Sequence, residues 1–289
     1  MFPGDNLFWR LITADPGLGE AALFRWDPIM VTLSVIVACV AGFATLMVMD
    51  RIQETDNPKK KKTWLIVGSL AMGIGVWAMH FTGMLALIVT MAEFSFRVQI
   101  QYDLWITILS MIPAIIGSGF AIHFMSWNPV ELNFINLNLG ALPLALGIGT
   151  MHYSGMEAML MPAHLRYDAT LFVVSIVVAH LLSVAALLVK FKFEAGSTES
   201  EEPASPPSAF STVRLMAACF IGFAVSGMHY TAMYATRIYP DPSLSQPAGI
   251  AFPPLAMGTV ICVFTVLIMG VIVLGSQYYS EGPEAAVST

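Results

Sequence analysis

Residues 64–91 read WLIVGSLAMGIGVWAMHFTGMLALIVTM, 28 positions without a charge. About 20 apolar residues, rising 1.5 Å each, cross the ~30 Å hydrocarbon core of a bilayer, so this stretch predicts a membrane-spanning helix. One imidazole interrupts it, His80, in Met79-His80-Phe81-Thr82. A polar ring is expensive in a bilayer unless it has a partner or a task. The same pattern recurs as Met151-His152-Tyr153-Ser154 and Met228-His229-Tyr230-Thr231. Chance would supply roughly 0.005 copies of M-H-[FY]-[ST] in a chain of this composition, so three copies are a repeat. Each continues as a small residue then methionine: Gly83-Met84, Gly155-Met156 and Ala232-Met233.

Outward from this stretch, the chain is 57% hydrophobic and 11% charged, against about 25% charged in a soluble domain. Apolar runs fall near 29–49, 64–91, 104–125, 136–161, 169–190, 211–236 and 254–277, seven in all. Every motif lies in an even-numbered span. The expected fold is therefore an all-α integral membrane bundle of seven transmembrane helices, built from three helix-pair repeats plus one extra helix. Residues 1–28, with Phe8, Trp9, Phe24 and Trp26, read as an interfacial segment rather than a cleaved signal peptide. Residues 29–277 form the membrane domain, and 278–289 a short tail. The Glu, Ser and Pro of 194–209 read as a solvated linker.

Lysine and arginine are retained on the cytoplasmic side. Arg51, Lys59, Lys60, Lys61 and Lys62 follow the first span, and Lys190, Lys192 and Arg214 flank the loop after the fifth. The N-terminus is thus expected outside and the C-terminus in the cytoplasm, with membrane lipid as the surrounding partner. With a net charge of -6 and no basic stripe, nucleic acid is excluded as a partner. Cys39, Cys219 and Cys262 lie far apart without a CxxC spacing, which suggests neither a disulfide framework nor a thiolate zinc site.

All three motif helices run outward, which places their histidines at one level near the outer face. Positions i and i+4 share a helix side, so His80 with Met84, His152 with Met156 and His229 with Met233 each aim an imidazole and a thioether one way. Met79, Met151 and Met228 sit about 100° off. Imidazole with thioether suits copper, especially Cu(I), better than magnesium, calcium or structural zinc. Phe81, Thr82, Tyr153, Ser154, Tyr230 and Thr231 are candidates to orient the rings or close the pocket. Glu157 is the carboxylate in a motif segment, a tuner or relay on one reading and an interfacial side chain on the other. Methionine is also ordinary core filler, and Gly73, Gly75, Gly147, Gly149, Gly222 and Gly227 suit close helix approach. His123 and His180, in odd spans, are additional ligand candidates or structural rings, and His164 reads as solvated.

On these motifs the chain resembles the MHYT family, seven-helix bacterial membrane sensors named for the tetrapeptide. The resemblance runs from about Pro28 to Gln277, departing at Phe81 for tyrosine and Ala232 for glycine. It implies that the motif Met and His residues line a copper site near the outer face that senses oxygen, carbon monoxide or nitric oxide. Family members are often fused to cyclic di-guanylate synthase or phosphodiesterase domains. These 289 residues show no such segment, so the expectation is a sensor rather than an enzyme, acting through a separate cytoplasmic partner. Two other classes stay open: a haem or copper redox protein using His123 and His180, and a copper or proton transporter. The absence of a lysine in the last span argues against a retinal receptor.

Overall fold

The computed structural model describes residues 10–14, 16–90, 100–127, 134–196, 210–241, 243–244, 251–252 and 254–280. Phe8 and Trp9, most of the expected 194–209 linker and the tail beyond 280 lie outside the described residues. The helices are α1 (Pro28–Glu54), α2 (Pro58–Leu85), α3 (Leu104–Leu109), α4 (Met111–Trp127), α5 (Phe134–Met156), α6 (Ala169–Gly196), α7 (Thr212–Ala235) and α8 (Pro254–Ser280). With α3 and α4 counted as one, seven are long and apolar enough to cross a membrane. The break between those two falls at Ser110, because Pro113 has no N–H to offer the Leu109 carbonyl.

The first helix of each pair starts on an aspartate. Asp27 Oδ1 accepts from the amides of Ile29 and Met30, Asp103 Oδ1 from Ile106, and Asp168 Oδ1 from Leu171. Each satisfies amides that the first turn leaves unpaired, where the helix end is also partly positive. Asn57 serves α2 in the same way, with Pro58 in the first turn.

Six helical rods close into a ring in which α1, α2, α3–α4, α5, α6 and α7 each pack on the next and α7 returns to α1; α8 lies outside it, against α1 and α2. The motif helices α2, α5 and α7 alternate around the ring. Small residues set the closeness. A Cβ on Gly117 would lie 2.5 Å from the Pro143 carbonyl oxygen, and one on Gly147 2.6 Å from that of Pro113, so α4 and α5 cross backbone to backbone. Gly222 stands in the same relation to Cys39 of α1, and Gly73 to Ile115 of α4. In a bilayer, where burying apolar surface drives little helix association, such approach carries much of the packing.

The hydropathy runs 64–91 and 136–161 overestimate their helices, which stop at Leu85 and Met156. The chain beyond each end stays apolar but becomes extended, as β3 (Leu87–Thr90) and β5 (Met159–Leu160). An apolar run cannot separate helix from buried strand by hydropathy alone. Eight short strands occur among the described residues, with β1 (Leu11–Ile12), β2 (Leu23–Trp26), β4 (Gln101–Asp103), β6 (Ala163–Asp168), β7 (Thr236–Pro240) and β8 (Ala251–Phe252) completing the set. The strand before each pair's first helix joins, antiparallel, the strand after its second: β2 with β3, β4 with β5, β6 with β7. The repeat is therefore strand–helix–helix–strand. Part of the N-terminal segment thus belongs to a cap of strands over one end of the bundle.

Candidate metal centre

Each motif histidine lies within the last two turns of its helix, where α2, α5 and α7 converge beneath the strand cap. His80 Nδ1 and His229 Nδ1 are 3.1 Å apart, and His152 Nδ1 is 3.2 Å from each of them. All three residues are 0% exposed. The rings meet edge to face, with centroids 4.9–5.2 Å apart. Among the described residues this is the group of histidine, cysteine and carboxylate side chains placed to hold a metal ion.

The triangle poses a bonding problem. A hydrogen on one Nδ1 would leave the other two lone pairs facing each other, and those two rings would carry their hydrogens on Nε2. The Nε2 atoms of His80, His152 and His229 are buried without a hydrogen-bond partner. The motif glycines explain why these atoms are enclosed: a Cβ on Gly155 would stand 2.5 Å from His80 Nε2, and one on Gly83 2.6 Å from His229 Nε2. The geometry suits a cation at the centre. From the observed separations that centre is about 1.8 Å from each Nδ1, close to the ~2.0 Å of a metal–imidazole bond.

Met79, Met84, Met151, Met156, Met228 and Met233 are each no more than 2% exposed and belong to the same buried cluster. By helix geometry Met84, Met156 and Met233 lie one turn beyond their histidines toward the cap, on the same helix side.

The residues after each histidine form a clasp with the neighbouring repeat. Phe81, Tyr153 and Tyr230 each pack edge to face on their own histidine, at 4.7–4.8 Å between centroids. Tyr153 and Tyr230 pair their hydroxyls with Ser175 at 2.7 Å and Ser34 at 2.8 Å. An aromatic ring from the strand cap covers each: Tyr102 on Phe81, Tyr167 on Tyr153, and Trp26 on Tyr230. These partners form a second repeat in the sequence, an aromatic residue, an aspartate and a serine seven further on: Trp26-Asp27 with Ser34, Tyr102-Asp103 with Ser110, Tyr167-Asp168 with Ser175. A search for a motif shared by the odd spans would have found it; the histidine-centred reading did not. The Tyr102 hydroxyl donates to the Met84 carbonyl. Burial pushes the hydroxyls of Tyr102 and Tyr167 well above the usual phenol range, Tyr167 further through nearby Glu157, so both stay neutral.

Other sequence candidates lie elsewhere. His180 Nε2 pairs with Asn138 Oδ1 at 2.9 Å, and Asn138 is about 20 Å along α5 from His152. His123 sits on α4 beside Phe124. Neither joins the cluster, because odd-span helices contribute serine rather than histidine at its level. Glu157 forms an ion pair with Arg10 at 2.8 Å. His164, expected to be solvated, pairs with Asp241 at 3.0 Å.

Seven spans, six of them ringed around a buried three-histidine cluster, define an integral membrane protein, and comparison with known proteins gives its class as signalling. Residues 73–131 and 146–199 match the MHYT profile, described as a bacterial signalling protein N-terminal repeat. The chain belongs to the MHYT family. It is 34% identical over 251 residues to the bifunctional diguanylate cyclase/cyclic di-GMP phosphodiesterase MucR of Pseudomonas aeruginosa, covering 87% of this chain and 34% of the relative. It is 31% identical over 216 residues to the signaling protein YkoW of Bacillus subtilis, covering 75% and 25%. It is 30% identical over 224 residues to the cyclic di-GMP phosphodiesterase NbdA of P. aeruginosa, covering 78% and 25%. The chain therefore spans between a quarter and about a third of these relatives' lengths. No solved structure matches.

Proposed function

We propose that this protein is a membrane sensor that holds copper on His80, His152 and His229 and reads a small uncharged ligand such as oxygen, carbon monoxide or nitric oxide. The observation that carries the reading is the convergence of three buried Nδ1 atoms at 3.1–3.2 Å. Nitrogen alone does not choose the metal; the six buried motif methionines favour copper. A copper ion there would supply reversible binding of a diatomic ligand and a one-electron redox couple. The chain's own contribution is to fix the three rings and exclude water. A ligand transmits only what it gains from one packing over another, so the closely packed ring is the element to be shifted.

The basic residues at the start of α2 support an orientation with the strand cap and triad toward the outside and the C-terminus in the cytoplasm. A cytoplasmic signalling protein is the partner we infer, since relatives carry cyclic di-GMP activities in their names. A transport path would need donors at several depths, whereas these sit at one.

Elemental analysis and absorption spectra of detergent-purified full chain test the reading, beside a variant with His80, His152 and His229 all changed to Ala. Near-stoichiometric copper in the wild type, lost in a variant that still elutes as a folded protein, is the expected result. A folded wild type that takes up no copper on reconstitution sinks it.

A further inference from the structure

The three repeats are alike in backbone and unlike at one sector. Tyr153 and Tyr230 close their clasps through Ser175 and Ser34. Phe81 has no hydroxyl to offer the equivalent serine, Ser110, whose own hydroxyl donates to the Thr107 carbonyl just as those of Ser34 and Ser175 donate to Val31 and Phe172. The next motif position differs too. The hydroxyls of Ser154 and Thr231 bond to carbonyls of their own helices, Met151 and Gly227. The hydroxyl of Thr82, two residues after His80, faces Cys262 Sγ of α8 at 3.8 Å. α8 packs beside α2 along much of its length: a Cβ on Gly258 would meet Leu85, and Met269 approaches Gly75. Neither α5 nor α7 shares such an interface with it.

We infer that the centre is read out through its first sector, so that a change at His80 passes along α2 to α8 through Thr82 and Cys262, while the His152 and His229 sectors act as the fixed frame. This inference rests on reading the triad as a ligand-binding centre and adds how its state leaves the ring. The physical argument is one of constraint. Two sectors are tied to their neighbours by a hydroxyl pair that must break before either tyrosine moves. The first sector has packing alone at that position, and its polar tie leads out of the ring to the seventh span.

Cys262 is partly buried and so serves as the probe in the native chain. Its alkylation by N-ethylmaleimide is followed by mass spectrometry in detergent, with Cys39 and Cys219, near one another at the α1–α7 contact, as references. In metal-free protein His80→Ala is expected to change the Cys262 rate by at least about threefold, and His152→Ala and His229→Ala to change it less than twofold. Thr82→Val, which keeps all three histidines, should reproduce the change, and Thr231→Val should not. One equivalent of copper(I) should shift the wild-type Cys262 rate, and Phe81→Tyr, by supplying a hydroxyl toward Ser110, should suppress that shift. Equal responses to the three histidine variants, or no response to Thr82→Val, would overturn the inference whether or not copper binds. A response confined to His80 and Thr82 in protein that takes up no copper would keep the inference and remove the metal reading.

Discussion

The six histidines fall into three environments, and the contrast between two of them is the most instructive. His80, His152 and His229 sit at equivalent places in three repeats, and their nitrogens close on one point. His180, equally inside a span, meets a single amide from Asn138 and leaves its Nδ1 buried without a partner. A place inside a membrane span is common to both, so burial in a span does not by itself make a site. Repetition does: a pseudo-threefold ring brings any inward side chain of the motif helices to its two copies. A polar group that is costly alone becomes one third of a coordination set.

The sharpest way to break this contrast is to disturb the triad without touching a histidine. Gly155→Val places a branched side chain where a Cβ already lies 2.5 Å from His80 Nε2. The ring is enclosed on every side, so it must leave its position. Metal affinity is expected to fall about 10–100-fold, as for loss of a supporting contact, and overpacking to cost ~1–3 kcal/mol. Metal titration with thermal melts checks both. Gly227→Ala is the companion, since its added Cβ finds Leu182 at an ordinary 3.5 Å; it should leave both measurements within error. If Gly155→Val binds metal as the wild type does, the Nδ1 triangle is not the centre.

The next test works from the other side of the comparison. His180→Ala removes the bond to Asn138 far from the triad. Intramembrane hydrogen bonds contribute ~0.6 kcal/mol on average and ~1.7 at most, so a modest fall in stability is expected with metal content unchanged. Tyr153→Phe should cost a similar amount by opening its pair with Ser175, yet also weaken metal binding, because that pair fixes the ring packed on His152. Two variants of like stability cost and unlike metal effect would separate a structural bond from a bond that orients a ligand. Equal metal loss in both would join His180 to the centre.

Much of this was legible in the sequence because the strongest signals coincide. The tetrapeptide marks the inward face, hydropathy marks the spans, and the even-span rule gives a common direction, which together place three histidines at one level. Which nitrogen of each ring turns inward was not legible, since both are available on a free imidazole and the choice is made by Gly83 and Gly155 closing over Nε2. The ends of α2 and α5 were also hidden: Leu87–Thr90 is as apolar as the helix before it, and only its pairing with β2 makes it a strand. The aromatic–Asp–Ser repeat could have been read from the chain, but aspartate at a span boundary looks like an ordinary interfacial residue until its clasp is seen.

The third environment gives the smallest effect. His164 lies in β6 beyond the spans and pairs with Asp241 at 3.0 Å. Hydrogen bonds from the Ser243 hydroxyl and amide, and then His164, hold the Asp241 carboxyl below its ordinary 3.8. A carboxylate whose folded value is depressed stabilises the fold fully above its unfolded value and loses that contribution as pH falls through the folded value. Thermal melts of the wild type should therefore lose a small increment as pH drops below about 4, and Asp241→Asn should lose less over that interval. The same titration should leave metal content at pH 5–8 untouched, because this pair stands in the strand cap and shares no hydrogen bond with the triad. An Asp241→Asn protein whose metal affinity changed across that window would show the cap and the centre to be one electrostatic unit, and the distinction between a histidine that ties down a hairpin and one that holds an ion would fail there.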